Sequence, residues 1–116
     1  MTERQQVQML GEDSAAGLLE GKGMLVLTRN WRCRFGELDL VALDGSTLVF
    51  VEVKCRTRDS LYDPALAVDQ RKQLRLRRLA EAFIAMERPQ FRDCRFDVVS
   101  VVASKPVRLT HLADAF

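Results

Sequence analysis

The sequence predicts an α/β sandwich, a mixed central sheet flanked by helices, formed by residues 1–116 as one domain. Two observations carry this. A helical stretch, three strand-like runs, a long helix and one or two further strands follow one another along the chain. The run Thr47 to Cys55 is almost continuously apolar, as in a strand covered on both faces.

The first helix is expected over residues 6–21. Val7, Leu10, Leu18 and Leu19 can share an apolar stripe, Ala15 and Ala16 favour helix, and Gly21 and Gly23 end it. Met24 to Thr28 is an apolar run of strand length. Phe35 to Leu43 and Thr47 to Cys55 read as two more strands, with Asp44-Gly45-Ser46 between them as a hairpin signal. Pro64 sits where a long helix, roughly residues 65–87, would begin, and Pro89 lies just past its end. Leu74, Leu79 and Phe83 are its expected inward side. Arg95 to Val102 is a β-branched strand, and Val107 to Leu112 a last short one.

Composition is that of an ordinary globular protein, with 47% hydrophobic and 29% charged residues in 116. No apolar stretch is long enough for a membrane helix, and the polar start Met1-Thr2-Glu3-Arg4-Gln5-Gln6 has no apolar signal core. A cytoplasmic protein without membrane contact is therefore expected. The net charge of +2 is too small to argue for nucleic acid without a favourable distribution. Cys33, Cys55 and Cys94 form no CxxC pair, so reduced, partly buried thiols are expected rather than a zinc site. His111 stands alone and reads as structural or exposed. There is no Ser/His/Asp set and no Gly-rich phosphate loop, and no small-molecule cofactor is expected.

The informative residues are charges inside apolar strands. Glu52 and Lys54 interrupt Leu48-Val49-Phe50-Val51-Glu52-Val53-Lys54, and alternation places Phe50, Glu52 and Lys54 on one face. Glu37, Asp39 and Val41 share a face of the preceding strand. The turn decides whether the two sets meet. A two-residue loop at Asp44-Gly45 sets Glu37 against Glu52; a four-residue loop at 44–47 sets Asp39 against Glu52; a three-residue loop without a bulge separates Asp39 and Glu52 onto opposite faces. Like charges this close repel and raise each other's pKa, and a hard divalent cation removes the conflict. Mg²⁺, or Mn²⁺ in its place, takes one or two carboxylates plus waters and substrate phosphate. Lys54 beside it can hold or help deprotonate the attacking water, which fits metal-assisted phosphodiester hydrolysis. The bland reading is a solvent-facing strand pair with a weak Glu52–Lys54 surface ion pair.

The strings Gly36-Glu37-Leu38-Asp39-Leu40-Val41-Ala42 and Phe50-Val51-Glu52-Val53-Lys54 resemble the central motif of the YraN family of small bacterial proteins. That family is similar to archaeal Holliday-junction resolvases and so to the PD-(D/E)xK nucleases. Gly11-Glu12, Asn30, Ala67-Val68, Lys72-Gln73, Arg95-Phe96-Asp97-Val98-Val99 and Asp114-Ala115-Phe116 extend the resemblance along most of the chain. The loop Ser60-Leu61-Tyr62-Asp63-Pro64 departs from it, lacking an expected glycine. The resemblance implies a restriction-endonuclease-like fold, with Asp39 and Glu52 as metal ligands and the Val53 carbonyl as a third. It also implies Lys54 as the catalytic lysine and Glu12 reaching the metal from the first helix.

Arg71, Arg75 and Arg78 follow helical spacing in Arg71-Lys72-Gln73-Leu74-Arg75-Leu76-Arg77-Arg78 and read either as a phosphate-contacting stripe or as a solvated face. With Lys72, Arg56 and Arg58 they are the candidate DNA contacts. Arg29, Arg32 and Arg34 add positive charge, and Trp31 is expected to pack at a sheet edge rather than stack on a base. The expectation is a Mg²⁺-dependent endonuclease acting on DNA, with branched or otherwise structured DNA as the candidate substrate, working as a homodimer. The alternative is a non-catalytic nucleic-acid-binding or interaction module on the same fold.

Overall fold

The computed structural model describes residues 1–56 and 68–116. The first helix, α1 (Glu3–Gly21), begins ahead of the predicted start because Thr2 and Gln5 form a capping box. The Thr2 hydroxyl accepts from the Gln5 amide at 3.1 Å, and the Gln5 side chain accepts from the Thr2 amide at 2.9 Å. Its buried stripe is Gly11, Glu12, Ala15, Ala16 and Leu19. Leu10, expected inward, is exposed. The small side chains let α1 lie close on the sheet, and Gly11 is where contact is tightest: a methyl there would collide with Cys55 Sγ.

Strands β1 (Leu25–Cys33), β2 (Gly36–Asp44) and β3 (Thr47–Arg56) follow, then α2 (Gln70–Glu87), β4 (Asp93–Val102) and β5 (Arg108–Leu112). β1 runs past the predicted Thr28 and carries Trp31, which packs edge-on to Phe83 at 5.3 Å between ring centres. Its indole N–H donates to Glu87 at 3.0 Å, so Trp31 is a packing residue, as expected. The long helix begins at Gln70, not at residue 65. Val68 and Asp69 are non-helical, and Asp69 caps the helix by accepting from the Lys72 amide at 2.8 Å. Pro64 and its surroundings lie outside the described residues. The inward side of α2 is Leu76, Leu79, Ala80 and Phe83; Leu74, expected inward, is 69% exposed.

The strands form one sheet in the order β1-β2-β3-β4-β5. β3 and β4 are parallel and the other neighbours antiparallel. One core layer packs Ala15, Ala16 and Leu19 of α1 on Val49, Val51, Val53 and Val99; the other packs Leu76, Leu79 and Phe83 of α2 on Leu48, Phe50, Phe96 and Val98. That is the α/β sandwich with a mixed central sheet anticipated from the sequence, and it is compatible with a nuclease-like α/β fold. None of the described helices is long and apolar enough to cross a membrane.

Behind β4, fully buried Asp97 accepts hydrogen bonds from Arg95, from the Asp114 amide at 2.9 Å and from His111 Nε2 at 2.8 Å. Lys22 donates to His111 Nδ1 at 2.8 Å, which leaves Nε2 as the protonated nitrogen. His111 is therefore structural, as expected. The tail folds onto its own sheet: the Ala115 amide bonds the Phe96 carbonyl at 2.7 Å, and Phe116 stacks on Phe96 at 5.0 Å. The apolar side of the tail is thus occupied within the chain. Cys33 and Cys55 are half-buried, whereas Cys94 is exposed; all three are free.

Candidate active site

The β2–β3 turn sets the site. Gly45 takes a left-handed φ of 61°, and Asp44 pairs with Thr47, so the loop is only Gly45-Ser46. Leu43 faces Leu48, the register that would bring Asp39 opposite Glu52. The ladder stops at Leu40–Val51, although both strands continue beyond it. In the gap the Asp39 carboxylate, not a backbone carbonyl, accepts the Val53 amide at 2.8 Å. Asp39 therefore sits where the strands part, between α1 on one side of the sheet and α2 on the other.

From the α1 side comes Glu12, 5% exposed within the stripe that packs on the sheet. The side chains of Asn30 and Gln8 lie near its carboxyl and favour its charged form, but its Oε2 has no partner among the described residues. Asn30 was read only as part of a motif. It holds a left-handed φ of 54° within β1, a strained conformation for a non-glycine residue in a strand, between the pairs Arg29–Leu40 and Trp31–Leu38. A groove of about 660 Å³ opens here, lined by Gln8, Glu12, Asn30, Arg32, Glu37 and Asp39 among others. Glu37 is paired with Arg32 at 3.2 Å.

From the α2 side come Glu52 and Lys54, side by side on β3, with Nζ and Oε1 3.9 Å apart. Lys72 reaches down from the first turn of α2 to the same Glu52 oxygen at 2.9 Å. This pairing was not legible from spacing along one helix, because it spans the crossover between β3 and α2. The Glu52–Lys54 pair is not the exposed surface pair of the bland reading: its side chains are 14% and 26% exposed.

The electrostatics record the crowding. Burial, then the charge of Glu52, with Glu12 and Glu37 adding to it, pushes Asp39 up to about 7 against the single opposing bond from Val53. Burial and Glu37 raise Glu12. Burial, then the hydrogen bond and charge of Lys72, lowers Lys54. Burial and the charges of Asp39 and Glu12 push the Cys55 thiol up to about 11, so it stays protonated at neutral pH.

Among the described residues, no three His, Cys, Asp or Glu side chains are close enough to make a ready cation cage. Mg²⁺ does not require one, since it keeps several waters and commonly uses one or two protein carboxylates. The donor set fits that mode: Glu12 is buried and Asp39 half-buried, both are short of positive charge, and one Glu12 oxygen is orphaned.

Of the candidate phosphate contacts, Arg71, Arg75 and Arg78 are exposed along α2. Arg78 lies over the Phe35 ring at 4.4 Å, while Arg77 lies over Phe96 and Phe116. Arg56 ends β3 in a groove against the start of α1. Arg58 lies outside the described residues. Arg29 pairs with Asp13, and Arg34 lies over Phe35 at 5.0 Å.

A family model of the Uncharacterised protein family UPF0102 matches residues 11–101, from the glycine under Cys55 to the strand beside β5. The chain belongs to that family. A UPF0102 protein of Mycolicibacterium vanbaalenii is 48% identical over 98 residues, covering 84% of this chain and 81% of the relative. One from Syntrophus aciditrophicus is 43% identical and covers 100% of this chain and 92% of its own length. One from Dictyoglomus thermophilum is 37% identical and covers 96% and 97%. The stretch common to the family includes Glu12, Asn30, Asp39, Glu52, Lys54 and Lys72.

Proposed function

We propose that the protein is a Mg²⁺-dependent endonuclease that hydrolyses DNA phosphodiesters, on branched or otherwise structured DNA, in the cytoplasm. The observation that carries this reading is the carboxylate pair Asp39 and Glu12, half-buried and buried, short of positive charge where β2 and β3 part, with Lys54 beside Glu52 on β3. The likeness of the motif strings to archaeal resolvases and the PD-(D/E)xK nucleases supports it. When bound, Mg²⁺ supplies Lewis-acid polarisation of the phosphodiester and a more acidic water. Of Asp39, Glu52 and Glu12, one or two at a time would hold it, with waters completing its shell. Lys54, whose charged form is disfavoured by burial and by Lys72, would orient the attacking water as an ammonium, and only its neutral amine form would take that water's proton. Arg71, Arg75 and Arg78 hold the DNA backbone by charge, without reading sequence.

Calorimetric titration with Mg²⁺ and Mn²⁺, paired with cleavage assays on linear, single-stranded and junction DNA, tests this. Wild type should bind the cation and cleave. Asp39→Ala should abolish both, and Lys54→Ala should cut cleavage at least about a hundredfold while leaving cation binding. Cleavage by Asp39→Ala equal to wild type would refute it. A second reading, a non-catalytic nucleic-acid-binding module, is favoured by one observation: Lys72 already neutralises Glu52 without a cation. DNA binding without cation binding or cleavage would decide for it. We further propose a homodimer, which would set two sites on one surface. Light scattering should give twice 13.2 kDa.

A further inference from the structure

We infer that Lys72 is the resident counter-ion of Glu52, competing with a divalent cation for that carboxylate and yielding its ammonium to the substrate phosphate when the cation is bound. The inference rests on the proposed phosphodiester chemistry and adds a role for a residue outside the D…ExK set.

Three observations carry it. The first is contact. Lys72 Nζ lies 2.9 Å from Glu52 Oε1, closer than Lys54 at 3.9 Å, so the ammonium already occupies one donor a cation would use. The second is burial: the Lys72 side chain is 23% exposed and that of Glu52 14%, so water does little to dissipate the competition. The third is a broken local rule. The first turn of α2 reads Gln70-Arg71-Lys72 with no acidic residue, although helix N-termini favour negative charge. Placing Lys72 there disfavours the helix and favours a site that must meet an anion. Asp69 restores part of the loss by capping the Lys72 amide, and the Gln73 side chain ties the turn to the Val68 carbonyl at 2.9 Å.

A dication beside Glu52 puts two ammonium groups, Lys54 and Lys72, in a repulsive field. Both lysines have the same long flexible stem, but Lys54 stands back at 3.9 Å whereas Lys72 holds the very oxygen the cation would take. Lys72 therefore moves, and the nearest anion other than the carboxylates is the phosphate of bound DNA. Cation binding and phosphate binding become coupled through one side chain.

Mn²⁺ alone, titrated calorimetrically into DNA-free protein, tests this with no reference to activity. Lys72→Gln should tighten Mn²⁺ binding about tenfold, because the competing charge is gone. Lys72→Arg should stay within about twofold of wild type. Arg75→Gln, one helical turn further on and exposed, should also change affinity by less than about twofold, which separates contact from general field. The rise in Tm on adding Mn²⁺ should likewise be larger for Lys72→Gln than for wild type. Binding by Lys72→Gln but not by wild type would support the inference in its strongest form. Equal or weaker binding by Lys72→Gln than by a metal-binding wild type would overturn it and leave the endonuclease reading standing. No binding by any variant would overturn both.

Discussion

Asp39 is pulled two ways. Its carboxylate caps the Val53 amide, which favours charge, while burial and three neighbouring carboxylates favour the proton and raise it to about 7. The folded protein therefore binds this proton more tightly than the unfolded chain does, between the ordinary aspartate value of 3.8 and about 7. Across that window stability falls as pH rises, since the native state holds more protons than the unfolded one. In chelator, denaturant unfolding should show the cation-free protein losing about 1–3 kcal/mol between pH 4 and pH 8. Asp39→Asn should remove most of that slope and be the more stable protein at pH 8. A flat wild-type profile would mean that the carboxylates do not feel one another. Gly11 sets a second constraint at this scale. Gly11→Ala drives a methyl into Cys55 Sγ and should cost about 1–3 kcal/mol by thermal unfolding, most of it recovered in Gly11→Ala/Cys55→Ala. The need for a glycine at that position was not legible, because it comes from a side chain of β3 distant in sequence.

Strand alternation, turn signals and aliphatic content located β2, β3 and β4 within a residue or two, because each strand is covered on both faces and its pattern is strong. The helices were harder. α1 presents alanines and a glycine to the sheet, so its larger apolar residues misled about the inward face; Leu10 is exposed. For α2, the proline suggested a start several residues before Asp69 supplies the cap. That cap is testable. Asp69→Ala should lower stability by about 1 kcal/mol in urea unfolding and loosen the Lys72–Glu52 contact, since the same residue holds the Lys72 amide. An unchanged midpoint would show that tertiary packing alone sets the start of α2. The Asp39–Glu52–Lys54 set was legible because charges inside an apolar strand stand out. Asn30 and the placement of Lys72 were not, since one depends on a backbone angle and the other on a crossover.

Over the whole molecule, among the described residues, Arg29, Arg32 and Arg95 are in ion pairs and Arg34 and Arg77 lie over aromatic rings, whereas Arg71, Arg75 and Arg78 present exposed charge along α2, Arg78 over the Phe35 ring. The exposed arginines of α2 are therefore the ones to test against DNA. Neutralising Arg71, Arg75 and Arg78 together should weaken binding equally across sequences and reduce the slope of log K against log salt by about 2–3. An unchanged slope in fluorescence titrations would mean that this face is merely solvated. The parallel pairing of β3 with β4 obliges the chain to cross over the sheet, and α2 makes that crossing. The site is thereby divided in time as well as in space. Asp39, Glu52 and Lys54 belong to one local hairpin, the kind of low-contact-order unit expected to form first, whereas Lys72 joins them only across the crossover from β3 to α2. A chain caught halfway through folding carries the acidic groups without the lysine from α2.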